Sequence, residues 1–114
     1  MAYRVRARES LAENINGSPQ YLGTIAANTT TTNHTTASPF NNTGDGLAGK
    51  MLLIQPDAAC YLRGVTTNSG TVTTTNGVYI GTNERVIITL KSDEGWLAVL
   101  GDGGAANARV WELV

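Results

Sequence analysis

Few side chains in this chain could carry chemistry, and their spacing decides which kind. His34 is the only histidine and Cys60 the only cysteine. A nucleophile–base pair needs both groups held within hydrogen-bond reach. His34, however, lies in the run Asn28-Thr29-Thr30-Thr31-Thr32-Asn33-His34-Thr35-Thr36, where a fixed geometry is hard to maintain. Cys60, between Ala59 and Tyr61, reads as a small buried hydrophobe. One His and one Cys cannot complete a zinc site, and Asp45 and Asp102 lack the clustered oxygen ligands of a calcium loop. The expectation is a protein with no catalytic residue, no metal site and no cofactor, and so not an enzyme.

Two glycine-rich stretches imitate phosphate-binding loops. Gly44-Asp45-Gly46-Leu47-Ala48-Gly49-Lys50-Met51 has nearly the P-loop spacing. That loop needs a Ser or Thr after the lysine to hold Mg²⁺, and a helix to follow. Here Met51 follows the lysine and Met51–Gln55 looks like a strand closed by Pro56. The stretch therefore reads as a glycine loop entering a strand. Gly101-Asp102-Gly103-Gly104-Ala105-Ala106 resembles a dinucleotide fingerprint, which requires a helix next and then a strand with an acidic residue about twenty positions on. The residues after it, Ala108–Val114, read instead as a strand, so the glycines predict a hairpin turn between the last two strands.

Binding rather than catalysis is the chemistry the remaining candidates offer. Arg4, Arg6 and Arg8 alternate with Tyr3, Val5 and Ala7. In an extended segment the three guanidinium groups share one face about 6–7 Å apart. Such a stripe either clamps an acidic surface through bidentate pairs or is the solvated, charge-blunted face of an edge strand. No aromatic platform accompanies it, so single-stranded nucleic acid is not its expected partner. Trp96, Trp111 and Tyr79 either pack in the core or form an exposed sugar-stacking platform.

The elements that would position these residues are short strands. Gln20–Ala27, Lys50–Gln55, Ala58–Val65, Thr71–Thr75, Val78–Ile80, Arg85–Leu90, Gly95–Leu100 and Ala108–Val114 are apolar or Thr-rich runs separated by turn residues. Seven or eight such strands with turns about every ten residues predict an antiparallel β-sandwich or barrel. Asn76-Gly77 suits a type I′ turn and predicts a hairpin of Thr71–Thr75 with Val78–Ile80. Val86, Ile88 and Leu90 share one strand face. Trp96, Ala98 and Leu100 oppose Leu97 and Val99, so that strand is apolar on both faces. Its outer face must be covered by a loop, an arm or another subunit. Residues 1–19 read as an N-terminal arm, with a capping box at Ser10 and Glu13 that allows a helical turn over Ser10–Asn14. The stretch 28–46 reads as a long loop with Phe40 its one piece of core material. Residues 20–114 then form a single sandwich domain.

Composition narrows the class further. The chain has 114 residues, 15% charged, with 16 Thr and 10 Asn, where about 25% charge is usual. Thr, Asn and Gly disfavour helices, so a coiled coil is excluded. Net charge −1 supplies no basic footprint for nucleic acid. The longest run of large apolar residues, Met51–Ile54, is far shorter than a membrane span. The opening Met1–Arg6 shows no apolar signal region, and a lone cysteine makes no internal disulfide. The four glycosylation sequons, at Asn16, Asn28, Asn33 and Asn41, then read as by-products of Thr/Asn richness. A protein made in a reducing cytoplasm is expected.

Laid out this way, the chain resembles the small decoration (cement) proteins of tailed-bacteriophage capsids. The resemblance rests on the uncharged Thr/Asn/Gly strands and on the closing runs Glu84–Leu90, Gly95–Leu100 and Arg109–Leu113, and extends over residues 20–114. It implies a jelly-roll or related β-sandwich and self-assembly, with a homotrimer ahead of a homodimer. It also implies a place on the capsid exterior of a virion made in a bacterial host, with the major capsid protein as partner and neither nucleic acid nor membrane. Tyr3, Arg4, Arg6, Arg8 and Phe40 are the expected shell contacts. Trp96, Leu97, Val99 and Trp111 are expected in the core or an oligomer interface. The alternatives are a tail, collar or fibre component of the virion, or a carbohydrate-binding β-sandwich.

Overall fold

The computed structural model describes residues 19–33 and 46–113. All but the last residue of the arm expected over residues 1–19, the turn over Ser10–Asn14, and Tyr3, Arg4, Arg6, Arg8, His34 and Phe40 lie outside the described residues. Those that are described are all-β, with eight strands and no helix. The strands are β1 (Gln20–Ala27), β2 (Thr32–Asn33), β3 (Met51–Pro56), β4 (Cys60–Val65), β5 (Val78–Ile80), β6 (Val86–Thr89), β7 (Trp96–Gly101) and β8 (Ala106–Glu112). They form two antiparallel sheets of four, ordered β1-β8-β3-β6 and β2-β7-β4-β5, consistent with a β-sandwich. The pairs β1·β8, β2·β7, β3·β6 and β4·β5 are nested, each enclosing the next. Every connection but β4–β5 therefore passes from one sheet to the other.

The period-2 pattern explains the core. In β8, Ala106, Ala108 and Val110 are buried while Asn107 and Arg109 are exposed. In β1, Ile25 and Ala27 point inward, beside exposed Thr24 and Ala26. These meet Leu52, Ile54 and Ile88 of their own sheet, and Cys60, Leu62, Ile80, Leu97 and Val99 of the other. Leu97 and Val99 are thus buried between the sheets. Leu47, from the glycine loop before β3, is fully buried in the same cluster. Its N–H donates to the Gly95 carbonyl at 3.3 Å, and the Gly49 N–H to that of Lys91 at 3.1 Å, docking the loop on the β6–β7 turn.

Three local expectations are corrected. Thr71–Thr75 is not a strand, and Asn76-Gly77 does not close a hairpin. Neither of those two residues has a positive φ, which a type I′ turn requires at both central positions. The side chains supply a competing turn. Asn76 Oδ1 accepts from the Thr73 N–H at 2.7 Å, Thr73 Oγ1 from the Asn76 N–H at 3.2 Å, and the Thr73 carbonyl from the Gly77 N–H at 3.0 Å. β5 pairs with β4 instead. The Gly101–Ala106 stretch is likewise no hairpin, because β7 and β8 belong to different sheets. Its glycines serve a crossing between layers: a Cβ on Gly101 would lie 1.9 Å from the Gly104 carbonyl oxygen. Finally, the 28–46 stretch is not wholly loop, since Thr32 and Asn33 pair with Val99 and Ala98. A strand at a sheet edge needs backbone hydrogen bonds more than apolar side chains, and periodicity does not signal it.

Candidate functional site

The two outer faces of the sandwich are built differently. On the β2-β7-β4-β5 sheet, Trp96 lies opposite Val65, Ala98 opposite Arg63, and Leu100 opposite Tyr61. Trp96 is only 5% exposed because the β4–β5 connection, residues 66–77, brings Val72 onto Val65, Trp96 and Ala98. Polar side chains, most of them uncharged, pin that connection. Asn33 Nδ2 donates to the carbonyls of Thr67 and Gly70 at 3.3 and 3.2 Å. Thr31 Oγ1 donates to the Val72 carbonyl at 3.1 Å and accepts from its N–H at 3.3 Å. Arg63 Nη1 donates to the Thr71 carbonyl at 3.2 Å. Gly70 permits the close approach, since a Cβ there would fall 2.5 Å from Val65 Cβ. The second dry face of β7 is therefore satisfied by a loop of the same chain. Beyond the loop, Tyr79 stands 53% exposed, edge-on to Tyr61 at 5.3 Å.

On the β1-β8-β3-β6 sheet the strand registers set four side chains in one row. Tyr21 lies opposite Trp111, Trp111 opposite Leu53, and Leu53 opposite Ile87. The Tyr21 and Trp111 rings are 5.7 Å apart and tilted by 58°. Leu53 and Ile87 form an apolar cluster of their own, with Trp111 and Leu113 half-buried against it. Tyr21 remains 46% exposed, and Met51, next to Leu52 and Leu53 in sequence, 44%. Lys50 Nζ and Glu112 Oε2, 3.1 Å apart, form an ion pair beside Met51. Trp111 thus lies on an outer face, not between the sheets. The row was not anticipated. Its signal was the consecutive apolar pairs Leu52-Leu53 and Ile87-Ile88, which put apolar side chains on both faces of β3 and β6.

Cys60 is buried in the core, and burial, with a smaller contribution from the Asp57 charge, pushes its thiol up to about 11. A thiol held neutral there is not a nucleophile. The Asp57 carboxylate accepts from the Asn107 backbone N–H at 2.7 Å and from its side-chain amide at 2.9 Å. The side-chain bond, followed by the backbone bond, holds its carboxyl below the usual value, and the group serves as a clamp between β8 and the end of β3. Among the described residues no three His, Cys, Asp or Glu side chains are grouped to hold a metal, and no helix is long and apolar enough to cross a membrane. The glycine turn before β3 leads into a strand, with Leu47 turned into the core. Trp96, Trp111 and Tyr79 are not brought together: Trp96 is under the loop, and Trp111 is in the opposite sheet from Tyr79. The three-ring platform is not formed.

No family model matches this chain, and neither the curated proteins nor the solved structures contain a match to it.

Proposed function

We propose that the protein is a virion structural protein of the capsid-decoration type: a jelly-roll module that adheres to the outside of a phage shell, with the major capsid protein as partner. The observation that carries this reading is the exposed Tyr21 and Met51, with half-buried Trp111, seated over the buried Leu53 and Ile87 on one outer sheet face. Large apolar side chains left exposed together on one face mark a place of contact with another macromolecule. The nested strand pairs and the orders β1-β8-β3-β6 and β2-β7-β4-β5 support the jelly-roll assignment, since an eight-stranded double sheet is the form that wrapping takes. A cement protein works by mass action, binding the assembled shell and not its parts, and so raising the shell's stability. Self-assembly, synthesis in the bacterial cytoplasm, and shell contact through Tyr3, Arg4, Arg6, Arg8 and Phe40 belong to the same proposal.

Co-sedimentation with shells stripped of the protein tests it. Saturable rebinding that raises the shell's melting temperature, and that fails for Tyr21→Ser/Met51→Ser, is the expected result. Pelleting with tails instead of heads, or rebinding unaffected by those substitutions, would overturn it.

A further inference from the structure

We infer that the outer edge of β1 is a self-pairing interface, joining two copies of this chain about a two-fold axis into one eight-stranded sheet. A free strand edge presents unpaired N–H and C=O groups, and proteins blunt such edges with short length, charge or proline. Two described edges are short: β5 has three residues, and β6 has four between Arg85 and Lys91. The described part of β2 has two residues, and Asn33 there holds the 66–77 connection.

β1 differs on every count. It runs eight residues, Gln20–Ala27, with no charged residue and no proline within it. Among the described residues it pairs on one side alone, with β8. Its one irregularity is a bulge between Tyr21 and Gly23, where Gly23 takes φ 143°. That leaves Gly23–Ala27 in regular register with β8. The side chains facing out along that stretch are small, Thr24 and Ala26, so a second backbone meets no bulk.

A second copy is the occupant these features favour. An antiparallel pair of identical strands needs only one surface, used twice. Net charge −1 leaves little repulsion between copies. With the axis perpendicular to the sheet, both outer faces turn to the same side, so the exposed Tyr21 and Met51 of the two copies lie on one side of the joined sheet. This specifies the self-assembly in the decoration reading and favours a dimer over the trimer that the resemblance implies.

Sedimentation equilibrium of the full chain, free in solution at micromolar concentration, tests it without any shell. The expected result is a dimer, weakened about tenfold or more by Ala26→Lys and left intact by Thr89→Lys on the opposite edge. Amide exchange on the unmodified chain gives an independent reading: protection of Gly23–Ala27 should rise with protein concentration. A trimer, a dimer indifferent to Ala26→Lys, or a monomer with those amides protected at every dilution would overturn the inference. The last outcome would assign the edge to another segment of the same chain. Loss of the dimer interface leaves the shell-rebinding experiment unaffected, so the two proposals fail separately.

Discussion

The outer faces of the two sheets carry similar apolar side chains and meet different fates. On one, Trp96, Val65 and Ala98 lie beneath residues 66–77, with Val72 as the plug and Asn33, Thr31 and Arg63 as the pins. On the other, Leu53 and Ile87 are packed by Trp111 and Leu113 of the same sheet and its continuation, and Tyr21 and Met51 stay nearly half exposed. Apolar residues on both faces of a strand thus call for a cover, without saying whether the cover is internal. The uncharged Thr and Asn side chains, which look like filler in the sequence, are what make an internal cover hold. They satisfy the carbonyls and amides of a connection that has little apolar side chain of its own to bury.

The sharpest way to break this contrast is Trp96→Ala, which leaves a large void beneath the loop. It should cost about 3–5 kcal/mol of unfolding free energy in a denaturant titration. A loss below about 1 kcal/mol would mean that the loop does not seal the face. Leu53→Ala, in the middle of the other row, should cost about 2–3 kcal/mol, at the low end for a buried leucine because its cluster with Ile87 is small and covered only by half-buried side chains that can settle into the void. Equal losses at the two positions would erase the difference between the faces.

Asn33→Ala removes two hydrogen bonds to the loop and should cost about 1–2 kcal/mol. Its signature is local: amide exchange should quicken over residues 66–77 and not over β8.

Asp57 contributes a smaller, pH-dependent effect. Its folded-state pKa is depressed below the ordinary 3.8 by the hydrogen bonds from Asn107, so its stabilisation is fully present above that value. The contribution is lost as the pH falls through the folded-state pKa. Asp57→Asn should flatten part of the acid limb of a stability–pH curve and leave neutral-pH spectra unchanged. The smallest effect on stability belongs to Met51→Ser, within about 0.5 kcal/mol, although shell rebinding should suffer. A large destabilisation there would show that Met51 is packed rather than offered to a partner.

Much of the fold was legible because strand alternation is local. Seven of the eight strands lie where apolar runs and turn residues place them, and β8 shows why: Ala106, Ala108 and Val110 inward, Asn107 and Arg109 outward. β2 was not legible, since Thr32 and Asn33 contribute backbone and side-chain hydrogen bonds rather than a pattern. The Asn76-Gly77 turn misled because its dipeptide statistics assume free flanks, whereas Val72 is bonded to Thr31 and packed on Val65, Trp96 and Ala98 of the sheet below. A Cβ on Gly77 would lie 2.5 Å from Val72 Cγ2 and 2.9 Å from Tyr61 Cβ.

The candidate surface illustrates the same division. The residue types of Tyr21, Leu53, Ile87 and Trp111 are written in the chain, as are the strands that carry them. Their alignment in one row depends on three inter-strand registers, β1 with β8, β8 with β3, and β3 with β6. A one-residue slip in any of them would turn the strand's side chains to the other face. Sequence by itself determined an all-β chain of short strands, poor in charge. Tertiary structure alone decided which dry face was sealed by a loop and which kept Tyr21 and Met51 exposed, because that depends on pairings between residues far apart in sequence, ninety positions for Tyr21 and Trp111.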